Sequence, residues 1–190
     1  PREGERVPRV RFPEFVGDGE WSLYKLLDLC QVLNNRRKPL TSTDRNTGDY
    51  PYYGASGIID YDDDYIFDER LLLLGEDGAK WGKNEQSSFI AEDRYWVNNH
   101  AHVLKPIKSS DIFLLNFLNM EDLSPYVTGT APPKLTLGKA REIIVPLPSQ
   151  EEQIRIADCL SFLDDLISAQ SSKVETLKTF KQGLMQQMFP

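Results

Sequence analysis

The chain is short of the residues that staple small proteins. Its 190 residues include two cysteines, Cys30 and Cys159, with no C-x-x-C pair, which argues against a disulfide framework or a cysteine zinc site and points to a reducing cytosol. No apolar run approaches the roughly 18–20 residues that cross a bilayer; none is longer than the four leucines Leu71 to Leu74. No signal peptide precedes the first Pro, so neither secretion nor membrane insertion is expected. Positive charge is also scarce, 22 Lys and Arg against 29 Asp and Glu, net −7. Phosphate binding is dominated by Lys and Arg, so this balance by itself favours a protein partner. Residues 149–190 carry four basic and six acidic side chains and residues 1–148 carry 18 and 23, so any DNA-binding face must be a local concentration. The polar opening "PREGERVPR" lacks an initiator Met, and the expectation is a linker inside a longer or processed chain.

Catalytic signatures are missing as well. "GEDGAKWGK" has glycines and a lysine but neither the spacing nor the following hydroxyl of a phosphate-binding loop. No F-x-G-x-G or [ND]-P-P-[YFW] segment of an amino-methyltransferase is present. Glu76, Asp77 and Lys80 do not follow the D…[DE]-x-K order of a nuclease, and a charged turn is preferred. "DYDDDYIFDE" lacks the sixth-position Gly and twelfth-position Glu of a calcium loop, so it reads as a solvated turn. His100 and His102 stand two apart, where a strand would put them on one face as two metal ligands. A third ligand is not evident, and hydrogen-bonded imidazoles at a strand end, or polar contact with nucleic acid, are the competing readings.

What is present is a folded composition, 40% hydrophobic with 9 Phe, 8 Tyr and 3 Trp. Leu23, Leu26, Leu27 and Cys30 predict a short helix over Trp21 to Leu33, with a strand able to take its end. "YPYYGASGIIDY" reads as strand, tight turn, strand. "YIFDERLLLLGEDGAKWG", "SSFIAEDRYWVNNHAHVLKP" and "REIIVPLP" continue as short strands, with a helix over Asp111 to Met120. Ser149 and Glu152 predict a capping box. Beyond it a 4-3 repeat runs through Ile156, Leu160, Leu163, Ile167, Gln170, Val174, Leu177, Lys181, Leu184 and Met188, the pattern of a coiled-coil seam with two polar interruptions. Forty residues make a rod of roughly 60 Å, too long to bury on its own domain; folding back is the alternative.

Arg36, Arg37 and Lys38 lie in a polar loop with Asn34, Asn35, Thr41, Ser42 and Thr43, a mixture suited to phosphates and base edges, or simply a solvated loop. Tyr52, Tyr53, Ser56, Lys80, Trp81 and Lys83 flank Gly-rich turns from which side chains can reach a ligand, with core packing the rival for the aromatics.

The segments "RFPEFVGDGEW", "YPYYGASGIIDY", "LLLLGEDGA", "WVNNHAHVL", "TGTAPPKLTLGKAREIIVPLPSQEEQIRIADCL" and "LKTFKQGLMQQMFP" together resemble one half of the specificity subunit of type I restriction–modification systems. The likeness covers nearly the whole chain. It implies an α+β fold: a target recognition domain over residues 1–148 with a mixed, mainly short-stranded sheet, then a long spacer helix over 149–190 that pairs antiparallel with another and docks modification subunits. It implies a non-catalytic, prokaryotic, cytoplasmic protein of host defence that reads half of a bipartite site in double-stranded DNA. Methyltransferase and restriction/translocase subunits would use S-adenosylmethionine, ATP and Mg, none bound by this chain. The family carries two domains and two helices where this chain has one of each, so either a second copy or a missing half is expected to complete it. Acidic DNA mimics are conceivable inhibitors. On this reading Arg36, Arg37, Lys38, Lys80, Lys83 and Lys134 approach phosphates or base edges. Tyr52, Tyr53, Ser56, Trp81, Asn98, His100, Thr128 and Thr130 shape or read the groove. The other class retained is a coiled-coil adaptor whose head binds protein.

Overall fold

The computed structural model describes residues 6–189; of the linker-like opening, residues 1–5 lie outside the described residues. Among the described residues ten strands make three small sheets. The predicted helix over Trp21 to Leu33 is replaced by β1 (Ser22–Lys25), a single 3-10 turn and β2 (Cys30–Val32). Distant strands supply the reason. β1 pairs antiparallel with β10 (Ile144–Leu147), β2 pairs with β9 (Ala101–Pro106), and the Leu26 amide donates to the Ile143 carbonyl at 2.9 Å. Of the helical spacing Leu23, Leu26, Leu27 and Cys30, only Leu26 and Cys30 are buried, with Leu27 half-buried and Leu23 exposed.

The central sheet runs β2-β9-β6-β7, all antiparallel, with β6 (Leu71–Gly75) and β7 (Ser88–Ala91). Strand β6 explains the leucine run. Leu72 and Leu74 join the core with Leu26, Leu29 and the helix α1 (Asp111–Met120), while Leu71 and Leu73 join Phe67, Tyr95, Val97 and Val103 on the other face. A strand covered on both sides has no reason to alternate. The second sheet runs β4-β3-β8-β5, built from the predicted hairpin of β3 (Tyr50–Gly54) and β4 (Gly57–Asp62), then β8 (Arg94–Val97) and β5 (Phe67–Asp68). The β3–β8 pairing is parallel, which makes this sheet mixed.

Helix α1 follows its prediction. Ser110 caps it by accepting the Phe113 amide, and Phe113, Leu114, Phe117 and Leu118 are its buried face. Near its end the Asn119 side chain accepts from the Ser87 and Ser88 amides (3.0 and 2.8 Å) and donates to the Ser88 carbonyl (3.0 Å), pinning α1 to β7. A one-turn helix α2 (Leu137–Ala140), capped by Thr136, leads into β10.

The last element, α3 (Gln150–Met188), has 39 residues, about 60 Å at 1.5 Å each. Half of the predicted capping box forms: Ser149 Oγ accepts the Glu152 amide at 3.3 Å. The Glu152 carboxylate instead turns to Arg11, buried with it. Gln153 adds a second tie, accepting the Ser110 amide and donating to the Pro148 carbonyl, both at 3.0 Å. Of the predicted seam, Ile156 packs on the domain core and Leu160 lines the groove between α1 and α3 with Trp21 and Phe117. That corrects the inner end of the seam, which meets its own domain first. Leu163, Ile167, Val174, Leu177, Leu184 and Met188 are exposed, as are Gln170 and Lys181. No helix among the described residues is long and apolar enough to cross a membrane.

Candidate nucleic-acid interface

Several strands end together at one end of the sheets: β3 at Gly54, β6 at Gly75 and β8 at Val97, with β9 starting at Ala101. The connections there are the Ala55–Ser56 turn, the loop 76–83, the Asn98–His100 turn and the loop 128–134. Close packing locks them together. A Cβ on Gly75 would stand 2.8 Å from the Ala55 carbonyl oxygen, so glycine lets the turn sit against the strand end. Gly78 at φ +77° takes the left-handed conformation that bends the loop, and its carbonyl accepts Ser56 Oγ at 3.2 Å. Trp81 is buried and donates from Nε1 to the Gly75 carbonyl at 3.1 Å. Loop 128–134 closes on itself through reciprocal 2.8 Å backbone bonds between Thr128 and Lys134.

A carboxylate cluster underlies this edge. Asp77, buried, accepts Lys134 Nζ at 2.8 Å and a short bond from His100 Nδ1. Burial pushes the Asp77 carboxyl up, but Lys134 and His100 outweigh it and hold it below the usual aspartate range; the same contact raises Lys134. Glu76 turns inward to Arg37 Nη1 at 2.8 Å. The two histidines therefore diverge and do not share a face as metal ligands. His102 is fully buried. Its Nε2–H donates to the Leu135 carbonyl at 2.7 Å and its Nδ1 accepts from Asn34 Nδ2 at 3.0 Å, the amide being oriented by the Val103 N–H on Asn34 Oδ1. Burial pushes its pKa down against the Leu135 carbonyl and Glu76. Among the described residues no group of His, Cys, Asp or Glu is arranged to hold a metal ion.

The candidate DNA-contacting residues sort into three sets. Ser56, Lys80, His100, Thr128, Thr130 and Lys134 lie in the converging connections, half-buried or exposed. Arg36 and Lys38 lie beside the second sheet with their charges over aromatic rings, Arg36 4.4 Å from the Phe67 centroid and paired with Glu69 at 2.5 Å, Lys38 5.6 Å from Trp96. The remaining residues require correction. Tyr52 is in the core, 1% exposed, with its hydroxyl accepting the Leu40 amide and Arg45 over its ring. Tyr53 packs with Phe89 and Tyr95. Asn98 is buried and caps the His100 amide. Arg37 is used up on Glu76 and the carbonyls of Asn34, Asn99 and Ala101. Lys83 lines the groove between α1 and α3.

Sequence reasoning missed Asp77 as the hub of the edge, having set aside a nuclease acid in favour of a charged turn, and missed Arg45 and Arg94, which stand over Tyr52 and Tyr65. The one signal for Asp77 was an acidic pair, Glu76 and Asp77, just past a fully apolar strand, where the chain leaves the core.

The sequence model described as "Type I restriction modification DNA specificity domain" matches residues 18–179. The chain belongs to that family. A protein of Haemophilus influenzae named as a type I restriction enzyme specificity subunit is 34% identical over 157 residues, 80% of this chain and 40% of that one. The MjaVIII specificity subunit of Methanocaldococcus jannaschii is 24% identical over 192 residues, 95% of this chain and 43% of that one. In fold, the crystal structure of the S subunit from M. genitalium aligns with a TM-score of 0.71 at 15% identity, covering 87% of this chain and 44% of that chain. The chain thus spans less than half the length of the relatives it matches.

Proposed function

We propose that the chain is a non-catalytic reader of one half of a bipartite DNA site, residues 1–148 forming the target recognition domain and residues 149–190 the spacer that pairs and docks modification subunits. The observation that carries this reading is the convergence of Ser56, Lys80, His100, Thr128, Thr130 and Lys134 on one rigid edge of a DNA specificity domain. Hydroxyls, an imidazole and ammonium groups on loops held by strand ends suit base edges and phosphates together. Methylation and ATP-driven steps, with S-adenosylmethionine, ATP and Mg, belong to partner subunits on this reading.

The pairing is with a second copy, antiparallel. The seam spacing reads the same from both ends, so turning a copy about Ser172 sets Ile156 opposite Met188, Leu160 opposite Leu184, Leu163 opposite Lys181, Ile167 opposite Leu177 and Gln170 opposite Val174. Charge favours the same orientation. The inner half of α3 carries Glu151, Asp158, Asp164 and Asp165 with Arg155, the outer half Lys173, Lys178 and Lys181 with Glu175. Flanking charges set partner orientation in paired helices, and here an acidic half meets a basic one. Two domains related by a two-fold axis would face an inverted repeat.

The adaptor reading has one observation of its own. Edge strand β4 exposes Ile58, Ile59 and Tyr61 beside Asp60, Asp63 and Asp64, a surface that suits protein and repels phosphate. The test is a long-read methylation map of cells co-expressing the chain with its modification subunit, against cells lacking the chain. A new adenine-methylated interrupted palindrome is expected. Co-purification without a new motif would mean a docking-competent half; failure to associate would favour the adaptor.

A further inference from the structure

Glu76 and Asp77 sort the side chains around them into two kinds. Glu76 holds Arg37, whose guanidinium is used up on protein acceptors, and lies 3.5 Å from the buried His102 Nδ1. Asp77 points the other way and holds two donors whose outer atoms reach solvent, the side chains of His100 and Lys134 being 50% and 42% exposed. Three connections meet on this one carboxylate: its own loop, the Asn98–His100 turn and loop 128–134. Backbone bonds keep them in place, with the Glu76 amide donating to the His100 carbonyl at 2.8 Å and Asp77 bridging Lys134 as a strand neighbour.

The chemistry follows from the acceptor. An ionised carboxylate can only accept, so the hydrogen on His100 sits on Nδ1, leaving Nε2 with no protein partner among the described residues. Lys134 spends one N–H on Asp77 and keeps two for a ligand. An unpaired lysine on a DNA-facing loop adds affinity for every phosphate and reads nothing. The same lysine held on a buried carboxylate loses much of that indiscriminate attraction and gains a direction.

We propose that Asp77 is the positioning residue of the DNA-reading edge: it aims His100 Nε2 and the outer N–H groups of Lys134 at a base edge and offsets the lysine's charge, so that the loops discriminate sequence. This rests on the DNA-reading role proposed above. His100 and Lys134 become the specificity determinants, and Asp77 acts through them without touching DNA.

The test is selection from a pool of random-sequence DNA duplexes by the chain co-purified with its modification subunit, read by sequencing. Wild type is compared with Asp77→Asn, Asp77→Glu and His100→Ala, each also followed by thermal unfolding. Wild type is expected to enrich a motif. Asp77→Asn is expected to relax about one position of it roughly tenfold while binding unrelated duplex severalfold tighter at low salt, with a steeper salt slope. Asp77→Glu is expected to recover most of the discrimination, and His100→Ala to relax the same position. A scaffold role would lower binding to selected and unrelated duplex together. A folded Asp77→Asn that enriches the unchanged motif overturns the proposal. If Asp77→Asn does not fold, His100→Ala with full discrimination overturns it. Wild type that enriches no motif overturns the DNA-reading role itself, and the inference falls with it; that failure appears before any variant is read.

Discussion

Arg11 and Glu152 meet side by side, Nε to Oε1 and Nη2 to Oε2 both at 2.7 Å, with a third guanidinium bond to the Gly19 carbonyl at 2.8 Å. Both side chains are almost wholly buried, Arg11 7% and Glu152 1% exposed. The pair joins the segment before β1 to the first turn of α3, so it sets the angle at which the long helix leaves the domain. Removing one partner strands the other charge, and losing both is milder. Glu152→Gln and Arg11→Met are each expected to lower the thermal midpoint, and the double variant Arg11→Met with Glu152→Leu to lie above either single one. Thermal unfolding of the three proteins measures this.

Asn119 is the second joint. Its amide satisfies the Ser87 and Ser88 amides, and the Ser88 carbonyl in return. Asn119→Ala takes the partner from the Ser88 amide and carbonyl, while the Ser87 amide keeps the Glu85 carbonyl at 3.0 Å; the loss is expected to cost about 1–3 kcal/mol, read from urea midpoints at constant slope.

Acid stability follows from the carboxylates. Lys105 and Arg36, through hydrogen bonds that outweigh burial, hold Glu69 below its ordinary range, as Lys134 and His100 hold Asp77. A group whose folded pKa is depressed binds its proton more readily when unfolded. Its contribution is full above the ordinary carboxylate pKa of about 4 and is lost as pH falls through the depressed value. The thermal midpoint is expected to fall below about pH 4, and Asp77→Asn to show a shallower fall over the same window.

The two cysteines separate by exposure. Burial pushes the Cys30 thiol up to about 12, while Cys159 on α3 is half-buried. A thiol reagent at pH 8 is expected to label Cys159 in the native protein and Cys30 only after denaturation, because the thiolate is the reactive form. Two equally fast thiols would mean that the Leu26–Leu29 turn around Cys30 opens in solution.

Helix pairing is tested by cross-linking. In the antiparallel register Ser171 of one copy lies near its counterpart, while Val174 faces Gln170. With Cys159 replaced by Ser, Ser171→Cys is expected to form a disulfide-linked dimer under mild oxidation and Val174→Cys to form little. The reverse pattern would mean a parallel pair.

Local pattern carried much of this protein. The hairpin with Gly54 and Gly57, helix α1 with its Ser110 cap and helix α3 with its Ser149 cap all stand where spacing and turn residues put them. Each is held by bonds between residues close in the chain, which a local pattern encodes. Trp21 to Leu33 went the other way because β9 and β10, more than 70 residues further on, offered backbone partners that no helical spacing could outweigh.

The candidate interface divides along the same line. Composition and spacing marked the Gly-rich turns and the polar loops, since glycines and hydroxyls announce where a chain leaves a sheet. They did not tell which aromatic of Tyr52 and Tyr53 lies deeper, that Arg37 is spent on Glu76, or that Lys83 faces a groove on another side. Those outcomes depend on which loops meet in space. What the sequence determined alone was a capped rod with a 4-3 apolar seam, short strands punctuated by glycine, and an acidic total that leaves room for a DNA-binding face only as a local concentration of charge. Only the tertiary structure decided that Asp77 would gather His100 and Lys134 from connections 23 and 57 residues away, because charges pair where burial makes an unpaired one costly, and burial is a property of the folded whole.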